Sequence, residues 1–89
     1  MERDDWAIVR TVAENVRRVR KSRKISQEDL ALEAEVDRTY VSQVERGKRN
    51  ITVIVLVRLA RALRTTVAAL VTSPGRSRGI VPRQRKRRR

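Results

Sequence analysis

Eighty-nine residues allow one small domain with a tail and a single core of modest size. The chain has no cysteine and no histidine, which removes disulfides, thiolate metal sites, the commonest metal ligand and the usual general base. Only carboxylates scattered among basic residues remain for a metal, so neither an enzyme, a metal centre nor a cofactor is expected. The formal charge is +13, from 23 Lys and Arg against 10 Asp and Glu, and eight of the basic residues fall in the acid-free stretch Arg76–Arg89. Residues 1–75 keep fifteen basic against ten acidic residues, +5. A basic domain with a more basic tail points to a polyanionic partner, nucleic acid first, although membrane surfaces are polyanions too.

The N-terminus MERDDWAIVR carries acids where a secretory signal needs basic residues, and the longest nearly apolar run, Ile51–Val57, is far short of a membrane span. A soluble, cytoplasmic protein is expected, with no membrane partner. Residues 1–4 are expected to fray, with Asp4 or Asp5 capping a first helix. Ile8, Val9, Val12, Val16 and Val19 recur at spacings of three and four, a helical stripe that extends to about Ser22. Basic residues crowd its far end in RRVRKSRK (17–24), where they suit the negative end of the helix dipole. Arg17, Arg20 and Lys24 share a face there, either as a solvated turn or as phosphate contacts. Trp6 is a packing anchor.

The second helix opens with Ser26 as N-cap and Asp29 three residues on, a short-armed capping box, and Ile25 with Leu30 forms a hydrophobic staple. Leu30, Ala31 and Ala34 mark its buried face. The turn at Glu35–Val36 is tight, and a left-handed Glu35 there is a local cost. Helix three repeats the pattern, with Asp37 as cap, Val36 and Val41 as staple, and Gly47 as a left-handed stop. Val41 and Val44 face inward; Arg38, Thr39, Ser42, Gln43 and Arg46 fall on the other side at helical spacing. Two short helices joined in this way form a helix-turn-helix, with the polar face of the second suited to base edges and phosphates.

The run ITVIVLV (51–57) would pass as a buried strand, but Val53, Leu56, Leu59, Ala60 and Leu63 continue a helical stripe and Thr52 can cap it, with an Ile51–Leu56 staple. The chain offers it no partner strand. A short fifth helix, Thr66 to Val71, closes the domain with Val67 and Leu70. The domain thus covers residues 1–72. Residues 73–89, with two prolines, two glycines and a charge block, read as a disordered basic tail that adds non-specific phosphate contacts with steep salt dependence, or is inert.

NVRRVR (15–20), SQEDLA (26–31), VDRTYVSQVERGKRN (36–50) and the LxRLARAL pattern at 56–63 together resemble the phage-repressor and Cro-like helix-turn-helix regulators, the XRE family, over residues 13–71. DRTYVS followed by ERGKRN is similar to the controller proteins of restriction–modification systems. The resemblance implies an all-α, five-helix, lambda-repressor-like domain that binds double-stranded DNA as a homodimer on a palindromic operator, with helix three in the major groove. It implies base contacts from Arg38, Thr39, Ser42 and Gln43, and backbone contacts from Gln27, Tyr40, Arg46, Lys48 and Arg49. Glu45 would tie helix three to the scaffold. Arg38 can fork onto guanine, Gln43 can pair with adenine, and the Thr39 methyl can touch thymine. Glu35 and Arg64 depart from the family's usual glycines.

Ile54, Val55 and Val57 add to Val53 and Leu56 to make helix four apolar nearly all round at its start, so it needs cover on more than one side. A second subunit is the simplest cover, and Val55, Val67, Leu70 and Val71 are the expected dimer interface. The function implied is a bacterial or phage transcriptional regulator associated with the nucleoid, with no small-molecule ligand evident. The alternatives are an antitoxin-type regulator that also binds a protein, and a non-specific nucleic-acid-coating protein.

Overall fold

The computed structural model describes residues 3–74, and the basic tail expected over 73–89 falls almost wholly outside them. Five helices follow in order: α1 (Arg3–Ser22), α2 (Gln27–Ala34), α3 (Arg38–Glu45), α4 (Val53–Ala62) and α5 (Val67–Val71). No strand occurs among the described residues, and the 51–57 run is helical from Val53. The principal packing partners form a closed cycle, α1 against α3, α3 against α2, α2 against α4, α4 against α5, and α5 back against α1. The core fills the middle of that ring. Leu30, Leu59, Leu63, Leu70, Val16 and Val41 are completely enclosed, each from a different turn of the pattern, and truncating such a leucine costs about 2–5 kcal/mol.

Side-chain caps start three of the helices. Ser26 Oγ accepts from the Asp29 amide at 2.9 Å, Thr52 Oγ1 from Val55 at 3.2 Å and Thr66 Oγ1 from Ala69 at 3.0 Å. Each satisfies one amide that the first turn leaves without a helical acceptor. Asp37 occupies the same position before α3, with extended backbone, but its carboxylate makes no capping hydrogen bond. Asp4 and Asp5 are not caps either, since α1 is already helical at Arg3.

Four helices stop in the same way. The residue after the last turn adopts a left-handed backbone, at Lys24 (φ 60°), Glu35 (φ 60°), Gly47 (φ 71°) and Arg64 (φ 58°). At each, two amides turn back onto free carbonyls, as Gly47 to Val44 at 3.0 Å and Lys48 to Gln43 at 2.9 Å. Lys24 with Ile25, Glu35 with Val36, and Arg64 with Thr65 repeat that pairing. This is the Schellman arrangement, in which glycine is the unstrained residue at the left-handed position. A Cβ at Gly47 would lie 3.8 Å from Arg10 Cγ and 4.0 Å from Ala13 Cβ, so its backbone angle, not crowding, is what calls for glycine.

Two residues of the expected inward stripes are exposed. Ile8 is 47% accessible because burial along α1 begins only at Val9, and Val53 is 72% accessible in the first turn of α4, where no described helix covers it. Conversely, Asn15 lies on the buried face of α1 and is 1% accessible. Its Nδ2 donates to the carbonyls of Leu70 at 2.9 Å and Thr72 at 3.0 Å, and its Oδ1 accepts from Arg18 at 2.9 Å. The end of α5 is thereby tied to α1. Arg23 does the same for α4, donating to the carbonyls of Leu63 at 2.7 Å and Arg64 at 3.1 Å.

Candidate nucleic-acid interface

α3 is held from inside by three kinds of contact. Val41 and Val44 are buried in the core, and Tyr40 packs at its edge. At the far end, the Glu45 carboxylate, with 2% of its side chain accessible, is clasped by Arg20 of α1. Arg20 Nε donates to Oε2 at 2.6 Å and Nη2 to Oε1 at 3.0 Å. Gln27 of α2 adds a third donor to Oε1 at 3.0 Å, and Arg20 Nη1 also reaches the Ile25 carbonyl at 2.9 Å. A two-pronged, charge-assisted pairing of this kind fixes direction as well as distance. Glu45 therefore joins α1, α2 and α3, the scaffold role implied for it. Arg20 is not a solvated cation but is committed to Glu45 and the Ile25 carbonyl; the RRVRKSRK run alone could not distinguish it from its neighbours. The signal was its spacing, since Arg20 continues the Val9, Val12, Val16 series at the next i+4 step.

With its inner face fixed, α3 leaves a polar face outward. Arg38 and Thr39, at its first turn, are exposed and make no hydrogen bond or ion pair among the described residues. Ser42 and Gln43 follow one turn on and are half-buried. Gln43 is not free: its Oε1 accepts from Arg49 Nε at 3.1 Å, and the Arg49 guanidinium lies 4.5 Å from the Tyr40 ring centroid. Arg46, Lys48 and Arg49 are exposed just past the end of α3, and the Arg46 Nε contact to the Ser42 carbonyl is long, 3.4 Å. Gln27, at the start of α2, gives one amide hydrogen to Glu45 at the end of α3. The structure thus brings Arg38, Thr39, Ser42, Gln43, Tyr40, Arg46, Lys48, Arg49 and Gln27 onto and around one helix.

The four residues expected to pair two subunits divide differently. Leu70 is enclosed within its own chain and has no surface left to offer a partner. Periodicity pointed it inward correctly, but the core it enters is that of its own subunit. Val55, Val67 and Val71 are half-buried at the core's margin, and the large apolar residues most exposed on α4 are Val53 (72%) and Ile54 (63%). No described helix is long and apolar enough to cross a membrane.

A helix-turn-helix locked from behind, with a polar and basic outer face, defines the class of DNA-binding regulators built on this motif. The chain belongs to the XRE-type helix-turn-helix family, whose pattern matches residues 16–70. The control protein C.SmaI of Serratia marcescens is 47% identical over 64 residues, 72% of this chain and 76% of that protein. C.BamHI of Bacillus amyloliquefaciens, also a control protein, is 41% identical over 51 residues, 56% of this chain and 63% of its own. Among solved structures, the restriction-modification controller protein C.AhdI from Aeromonas hydrophila superposes with a TM-score of 0.69 at 36% identity, covering 72% of this chain and 97% of that one. The hypothetical transcription factor NHTF from Neisseria gives 0.76 at 35% identity, covering 81% and 83%.

Proposed function

We propose that this protein is a sequence-specific transcription regulator of the restriction–modification controller type, which binds a palindromic operator as a homodimer with α3 in the major groove. The observation that carries the reading is the division of α3: Glu45, Val41 and Val44 are fully engaged inside, while Arg38 and Thr39 reach out uncommitted at the end of the helix that enters a groove first. Arg38 forks onto guanine O6 and N7, and a good bidentate contact of this kind discriminates by about 1–3 kcal/mol. Arg46, Lys48 and Gln27 flank the helix at phosphate positions, which fix register without reading sequence.

One such helix reads too few bases to choose a promoter. Pairing through the exposed start of α4 and the margin formed by Val55, Val67 and Val71 supplies the second reader, with the two helices about 34 Å apart, one turn of DNA. The regulator then acts by occupying promoter DNA in the cytoplasm of a bacterium or an infected cell. In-vitro selection from a random duplex pool is the test. A palindromic motif with half-sites one turn apart is expected, and enrichment of no motif would overturn the reading.

A further inference from the structure

Gln43 was expected to pair with adenine, and that pairing uses both ends of its carboxamide: the carbonyl accepts from N6 and the amino group donates to N7. In the structure the carbonyl is already engaged by Arg49 Nε at 3.1 Å. Arg49 is in turn stacked 4.5 Å over the ring of Tyr40, which is packed against the core. Cation–π stacking and a charged hydrogen bond together hold the Arg49–Gln43 pair to the scaffold. Apart from the second lone pair of Gln43 Oε1, what the pair presents is donors, the amide hydrogens of Gln43 and the terminal guanidinium hydrogens of Arg49.

In the major groove guanine offers two acceptors, O6 and N7; adenine offers one acceptor and one donor, thymine one acceptor and a methyl group, and cytosine a donor. A face dominated by donors matches guanine. An adenine amino group brought to the remaining lone pair of Gln43 Oε1 would also sit beside the Arg49 cation. We propose that Gln43 and Arg49, held together over the Tyr40 ring, form one donor-dominated reading unit that selects guanine instead of adenine at the base facing Gln43 in each half-site. Arg49 is then a positioning residue for Gln43 as well as a donor, not simply a phosphate contact. This inference rests on the DNA-reading role proposed for α3.

The test is in-vitro selection with the full chain as wild type, Gln43→Ala and Arg49→Ala, followed by binding to guanine and adenine versions of the selected site. Gln43→Ala identifies the base pair concerned as the position whose preference flattens. Guanine is expected there for the wild type. In Arg49→Ala the freed carbonyl accepts from N6 again, and the guanine-to-adenine ratio is expected to fall roughly tenfold, the scale of one good base contact. Adenine at that position in the wild type would overturn the proposal, as would a Gln43→Ala profile with no flattened position. An Arg49→Ala protein weakened equally on both sites would also overturn it and return Arg49 to the DNA backbone. A wild type that enriches a motif while any of these fails leaves the regulator reading standing; a wild type that enriches nothing removes both.

Discussion

Glu45 lies on the helix that offers its face to DNA, yet its own side chain is turned inward, where three donors from two other helices meet it. Replacing it with alanine leaves the Arg20 guanidinium, only 12% accessible, without its counter-charge, and a broken buried pair of this kind costs about 3–5 kcal/mol. Glu45→Ala is therefore expected to lower the urea midpoint sharply without changing the slope, and Arg20→Lys to be nearly as damaging because a point charge cannot make the fork. A drop of under about 0.5 kcal/mol in equilibrium unfolding, the size of an ordinary surface change, would show that the clasp is not structural. At this scale the sequence was readable only in part. Glu45 was legible through family resemblance; Arg20 carried a spacing signal for burial but none for its partner, and Asn15 carried neither, because a cation in a basic run and an amide among valines disclose their partners only once distant helices have closed around them.

Helix ends were the most legible elements, since their chemistry is local. Ser26 and Thr52 cap within three residues of themselves and Gly47 stops α3 at a left-handed angle, while Thr66, read as the first residue of the fifth helix, is its cap instead. Asp4 and Asp5 lie within α1 and not at its cap, and a second exception is Asp37. Its backbone is placed as a cap while its carboxylate makes none, a side-chain choice that spacing cannot reveal. The three non-glycine stops at Lys24, Glu35 and Arg64 hold a backbone that costs an L-residue about 1–2 kcal/mol, partly offset by the greater freedom glycine would bring to the unfolded chain. Lys24→Gly, Glu35→Gly and Arg64→Gly are each expected to stabilise by up to about 1 kcal/mol, and Gly47→Ala to destabilise by about as much. Calorimetric melting of the four variants checks the pattern, and its signature is opposite signs at equivalent positions.

For the whole molecule, the five helices were legible from their stripes and caps and the fold from the family resemblance, whereas the closed cycle in which they pack emerged only in the structure. The surface left over was less legible than the helices, and α4 shows why: a segment apolar on most sides does not say which side its own chain will cover. Val53 and Ile54 are the residues left outside. Ile54→Glu is expected to leave the fold intact, as judged by an unchanged helical signal, and, if the proposed dimer pairs through this surface, to give a monomer in light scattering at micromolar concentration where the wild type gives a dimer. An unaltered dimer mass would place the pairing surface elsewhere. Asn15 and Arg20 then take on a joint meaning. Both project from α1, about 7.5 Å apart along its axis; one holds the carbonyls at the end of α5, the other the carboxylate at the end of α3. In the proposed dimer the margin that pairs the subunits and the helix that reads DNA are thus fastened to the same rod, with no hinge between them. A dimer built this way would behave as a ruler: it would gauge the interval between half-sites as strictly as their letters, and a site with correct bases at the wrong interval would be, to it, a different sequence.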